Sequence, residues 1–165
     1  MNDLHELFIE ELSDIYDAEK QLIKALPKMA KHAESEELQT AFEAHLDQTK
    51  RQKERLDQVF EVLGEKPKRK HCKAMEGLIA EGEELAGELE ESSALDAGLI
   101  CAAQKVEHYE IASYGCLCTW AKEMGHDEAL RILKENLKEE KDTDEHLTDL
   151  AEQCMNVEAL EEEEA

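Results

Sequence analysis

The sequence predicts an all-helical bundle, and three observations carry that prediction. The 165-residue chain has only 7 glycines and 2 prolines, so helix-breaking punctuation is sparse. Good helix formers (Ala, Leu, Glu and Lys) dominate, while aromatics are 4% of the residues and stretches rich in strand-favouring types are few. Apolar residues also recur at intervals of three and four along four long segments, the spacing of one helix face. The length fits one domain. At that size folding buries roughly 70% of the surface exposed by the unfolded chain.

The first long helix, α1, is predicted from about Asp3 to His32. Leu4, Phe8, Leu12, Ile15, Leu22 and Leu26 form its inner stripe, Asn2 or Asp3 caps it, and Pro27 should kink its last turns. Helix α2 is expected from about Glu36 to Leu63, opened by Ser35 and closed by Gly64. Its stripe is Leu38, Phe42, His45, Thr49, Gln52, Leu56, Val59 and Leu63. A basic run, Lys66-Pro67-Lys68-Arg69-Lys70-His71, then reads as a solvated linker before a short, glycine-weakened helix α3, from about Lys73 to Glu91.

Helix α4 is expected from Ser93 to Met124, capped by Ser92 or Ser93, with a stripe of Leu99, Ala103, Val106, Glu107, Glu110, Tyr114, Leu117 and Ala121. After Gly125, helix α5 should run from Asp127 to Met155 with Leu130, Leu133, Leu137, Glu140, Asp144, Leu147, Ala151 and Cys154 inward. The bundle domain is placed at 1–157, with 158–165 a frayed or disordered acidic tail. Two helical hairpins joined by a long connection predict a ferritin-like four-helix bundle, whose long crossover carries the short extra helix. The halves also match at an offset of 91 residues, pairing Glu19 with Glu110, Leu26 with Leu117 and Leu46 with Leu137.

The formal charge is −23, from 42 acidic and 19 basic residues. Such a field repels phosphate backbones and attracts cations, which weighs against nucleic acid as a partner. No stretch is apolar enough to span a membrane. The odd count of 5 cysteines, with no basic or apolar segment at the N-terminus, points to reducing cytoplasm and against a disulfide framework.

The inner stripes carry the chemistry. A buried, ionised carboxylate costs several kcal/mol unless compensated, so acids should avoid these positions. Yet Glu19 interrupts α1, Glu107 and Glu110 interrupt α4, Glu140 and Asp144 interrupt α5, and His45 stands on α2. Glu19 lies about fifteen residues before its hairpin turn, and Glu110 and Glu140 flank Gly125 at fifteen, so all fall near mid-height. Two divalent ions would bring four positive charges against these five acids. A carboxylate and imidazole donor set suits iron or manganese. Thr49, Gln52, Tyr109 and Tyr114 are expected around those ligands.

Several runs strengthen this picture, among them Leu12-Ser13-Asp14-Ile15-Tyr16-Asp17-Ala18-Glu19, His45-Leu46-Asp47-Gln48-Thr49, Cys72-Lys73-Ala74-Met75-Glu76-Gly77-Leu78, Val106-Glu107-His108-Tyr109-Glu110 and Glu139-Glu140-Lys141-Asp142-Thr143-Asp144. Over nearly the whole chain they resemble the YciF-like family of bacterial stress-response proteins. The resemblance implies a ferritin-like fold, similarity to the rubrerythrin bundle, and a homodimer. Ferritin-like di-iron proteins place a Glu on each of two helices and Glu-x-x-His on the other two. This chain departs from that pattern, with no inward Glu on α2 and Asp144 where a His would stand. The leading expectation is two metal ions per chain, iron or manganese, with Fe(II) oxidation or peroxide chemistry. A non-catalytic structural bundle and a simple metal store remain the alternatives.

Overall fold

A computed structural model describes residues 3–156 and residue 160. Five α-helices follow in order: α1 (Leu4–His32), α2 (Glu36–Leu63), α3 (Lys73–Glu88), α4 (Leu95–Glu123) and α5 (Asp127–Leu150), with a π-helical turn at Ala151–Met155. No strand occurs among the described residues. The expectations for the tail at 158–165 and for the Cys154 side chain lie outside the described residues, Leu160 excepted, which is helical and exposed.

Local chemistry sets most helix ends. The Asp3 carboxylate accepts from the Glu6 N–H at 2.8 Å, and the Ser35 hydroxyl accepts from the Leu38 N–H at 3.4 Å. Gly64 closes α2 and Gly125 follows α4 at φ 68° and 72°, a left-handed backbone that glycine adopts without a Cβ clash. Helix α1 runs on through Pro27, whose ring lies on its exposed side.

Helix α4 differs from expectation. It begins at Leu95 with no side-chain cap, because the Ser92 hydroxyl is spent on the Ala94 N–H in the preceding turn. Asp96 serves another helix end instead. Its two carboxylate oxygens accept from the Glu34 and Ser35 N–H groups at 2.9 and 2.7 Å, so the start of α4 fastens the α1–α2 turn.

The four long helices pack in the cyclic order α1, α2, α5, α4. Neighbours are antiparallel: His5 meets His126 while Ser35 meets Asp96, and Gln48 meets Thr143 while Arg55 meets Asn136. Helices α2 and α4 therefore point the same way, and the chain between them must travel back along the bundle.

It does so along α1, from one end to the other. Glu65 lies by His5, the Lys68 N–H donates to Ser13 Oγ at 3.0 Å, the Cys72 N–H donates to Asp17 at 2.9 Å, and Lys28 reaches Glu83. The basic run is thus no free linker. Lys68 and Lys70 both pair with Glu10 at 3.3 Å, and Lys70 lies 3.6 Å from Glu11 and Asp14. Helix α3 then packs on α1 and α4. There Leu89 and Leu85 crowd Gly98 so closely that an added Cβ would sit 2.6 Å from a Leu89 methyl.

The core runs the length of the bundle, from Phe8 and Leu133 to Leu38 and Leu99, all at most 2% exposed. The predicted stripes hold on α2 and α4 except at Leu63, which is half-buried. On α1, Leu4 is exposed. On α5 the buried face is Ala129, Ile132, Leu133, Asn136, Glu140 and Leu147, whereas Leu130, Leu137, Asp144 and Ala151 lie half-buried beside it.

Candidate metal centre

Four helices each bring a polar group to the middle of this core. Glu19, Glu107, Glu110 and Glu140 are each 0% exposed, and His45 is 5% exposed. The helical register explains the convergence. Glu107 and Glu110 stand three residues apart on the buried side of α4, between Val106 and Tyr114. Glu140 continues the buried row of Leu133 and Asn136 on α5, and Glu19 lies between Ile15 and Leu22 on α1.

Ligand atoms of His45, Glu107, Glu110 and Glu140 all lie within 4.8 Å of one another. His45 Nε2 is 3.1 Å from a Glu107 oxygen, but the two do not align as a hydrogen bond. Among the described residues, the buried side-chain nitrogen and oxygen atoms without a hydrogen-bond partner number eleven, and all belong to Glu19, His45, Gln52, Glu107, Glu110 and Glu140. Native cores almost always pair such groups. Eleven such atoms in one place single this cluster out as a candidate ligand site. A cation fits, because carboxylate oxygens and imidazole nitrogens are its ordinary donors.

Protonation is the other way to relieve the burial, and the surroundings of these acids favour it. Burial first, and then the charge of Glu140, push Glu19, Glu107 and Glu110 well above the usual carboxylate range. Burial raises Glu140 itself to about 7. The same burial drives His45 down to about 4, towards the neutral ring that a metal requires. Both shifts disfavour the charged forms that an ion pair between His45 and Glu107 would need.

Glu19 joins the buried acids but is partly engaged. Tyr114 donates its hydroxyl to Glu19 Oε1 in a very short hydrogen bond, leaving Oε2 free. Asn136 donates to both the Tyr114 hydroxyl, at 3.1 Å, and the Gln52 carbonyl, at 3.2 Å. Arg55 in turn donates to Asn136 Oδ1 at 3.1 Å and grips Glu139 with both guanidinium nitrogens at 2.8 and 2.9 Å. Asn136 is a residue that sequence reasoning missed. The signal was present, since Asn136 stands 91 residues after His45, the spacing that pairs Glu19 with Glu110.

The remaining expected residues divide. Thr49 is fully buried, but its hydroxyl donates back to the His45 carbonyl at 2.8 Å. Gln52 is buried, with both amide atoms unpaired by protein. Asp144 does not enter the cluster. It is half-buried at the rim, 3.2 Å from His108 Nε2, and accepts from Gln104 at 3.4 Å. One further helical turn beyond Glu140 rotates its side chain past the inner face. Tyr109 has other partners as well, donating to Asp14 at 2.6 Å and lying 3.1 Å from Cys72 Sγ.

Fold and site together define a class: an all-helical protein that seals four carboxylates and one imidazole into its core, all but one of their ligand atoms without a hydrogen-bond partner. The chain belongs to the DUF892 family, described as a domain of unknown function, whose model matches residues 3–160. It is 52% identical over 160 residues to protein YciF of Escherichia coli (strain K12), covering 96% of each chain. The crystal structure of the E. coli stress protein YciF matches with a TM-score of 0.91, over 94% of this chain and 99% of that one. YcfI from Rhodopseudomonas palustris matches at 48% identity and a TM-score of 0.86, over 89% and 94%. A protein from Xanthomonas campestris pv. campestris matches at 25% identity and 0.75, over 98% and 99%. No helix of the described residues is long and apolar enough to cross a membrane.

Proposed function

We propose that this chain is a ferritin-like stress-response protein that binds iron in the core of its four-helix bundle. The observation that carries the reading is the set of eleven unpartnered buried atoms, seven of them carboxylate oxygens. Four buried glutamates match the charge of two divalent ions. His45, Glu107, Glu110 and Glu140 would hold one ion, and Glu19 would join Glu110 and Glu140 in holding a second. Tyr114 and Asn136 hold Glu19 in place. The positions are unequal, because α2 supplies an imidazole and a back-bonded Thr49 where a second bridging carboxylate would stand. Manganese suits the same donors.

When bound, an iron pair supplies one-electron steps between ferrous and ferric states, suited to Fe(II) oxidation by oxygen or to peroxide removal. The chain's own part is to exclude water, to offset the metal's charge with its buried carboxylates, and to keep His45 unprotonated. The description of the E. coli relative as a stress protein agrees with such a role. The protein acts in the cytoplasm as a homodimer under this reading.

Metal analysis of protein grown with added iron tests it. The expected content is between one and two ions per chain, lost in Glu110→Ala. Far less than one ion in the unaltered protein would sink the proposal. Consumption of oxygen or peroxide with Fe(II) separates an enzyme from a store. A second reading is a non-catalytic structural bundle, favoured by the missing carboxylate on α2. The description of the R. palustris relative as a candidate structural protein points the same way. It predicts no bound metal and a stable fold with the acids protonated.

A further inference from the structure

The cluster is closed to solvent on nearly every side, and the exception has a direction. Its four glutamates have no exposed surface, whereas His45 retains 5%. That exposed edge lies in the lining of a groove of about 640 Å³ between α2 and α5. Glu36 and Glu37 from the first turn of α2 line this groove, as do Asp142 and His146 of α5, and Ala44 lies beside His45. Both ring nitrogens of His45 are buried and have no hydrogen-bond partner, so no hydrogen bond fixes the ring's orientation.

Resting on the metal reading above, we propose that the α2–α5 groove is the route by which cations reach the cluster, with His45 at its floor as the first ligand they meet. Three features support it. The groove carries the carboxylates of Glu36, Glu37 and Asp142, which raise the local concentration of cations. Its floor is the one cluster residue with any solvent contact. The His45 ring can bind an arriving ion through one nitrogen and pass it inward by rotating, because the deeper carboxylates lie within 4.8 Å of its ligand atom. Exchange of water for ligands then occurs at the groove floor, not within the sealed core.

The test follows uptake of Co(II) by metal-free protein, using the visible absorption of bound cobalt in stopped flow and metal analysis for the endpoint. Ala44→Trp places a bulky ring in the groove at an exposed position, leaving the core untouched. Uptake should slow at least tenfold with unchanged final stoichiometry. Ala112→Trp, at an exposed position on α4, should load at the original rate. The double variant Glu36→Gln/Asp142→Asn should load more slowly and with a shallower dependence on ionic strength, again to the same endpoint. Unchanged rates in both groove variants would overturn the route while leaving the metal site standing. Failure of the unaltered protein to bind any metal would remove the site, and the route with it.

Discussion

Glu140 makes the electrostatics of the core measurable. Its folded-state pKa is about 7 against an ordinary 4.5, the rise caused first by burial. A raised acid holds its proton in the folded chain where the unfolded chain has released it. Stability is therefore fully present below pH 4.5 and is lost as pH rises through 7. A shift of 2.5 units (7 − 4.5) corresponds to about 3 kcal/mol in all, and the span from pH 5.5 to 7 to about 2 kcal/mol. His45 works in the opposite sense: its depressed pKa, about 4, gives stability present above 6.5 and lost as pH falls towards 4. The perturbation is Glu140→Gln, which keeps the shape and removes the proton. The assay is urea unfolding of metal-free protein at pH 5.5 and pH 8. The original protein should lose about 2 kcal/mol more than the variant over that interval. His45 and the surface acids are common to both and cancel in the difference. An equal pH dependence in the two proteins would refute the claim that Glu140 is buried and unpaired. A protein that gained stability with pH only when the carboxylate was present would refute it more directly.

Three further outcomes follow from the same geometry. Tyr114→Phe should destabilise the metal-free protein by about 1–3 kcal/mol in urea, because it strips Glu19 Oε1 of its only donor and Asn136 of one acceptor. Asp96→Ala should cost about 2 kcal/mol, since the Glu34 and Ser35 N–H groups lose a charged acceptor. For a chain of this length calorimetry should show that as a fall in Tm of about 4–8 °C. Asp144→Ala should leave the metal content of iron-grown protein unchanged, in contrast to Glu110→Ala, because Asp144 faces His108 and Gln104 at the rim.

Helix positions and the level of the site were legible because they depend on local periodicity. Glu107 and Glu110 break an otherwise apolar face, and so does Glu19, which makes a buried acid visible in sequence. Asp144 misled because spacings of three and four mark a face about 100° wide, and its edge is the rim. Asn136 escaped notice because an amide between Leu133 and Leu137 reads as a surface residue. Its task appears only when Tyr114, Gln52 and Arg55 from other helices are brought beside it. The path of the crossover was likewise beyond reach. Lys70 looks like solvated linker until Glu10, sixty residues earlier, is brought beside it. The role of Asp96 has the same origin, a partner from a distant turn.

The cluster also lies on a seam. One hairpin contributes Glu19 and His45, the other Glu107, Glu110 and Glu140. Before the hairpins close on each other, water solvates all five groups and none costs anything. The desolvation cost belongs to the interface between the hairpins and not to either one alone. The buried acids therefore oppose the union of the two hairpins, and a proton or a cation offsets that opposition. The union of the two halves is therefore tighter where either is plentiful, and the strength of that seam reports on the chain's ionic surroundings.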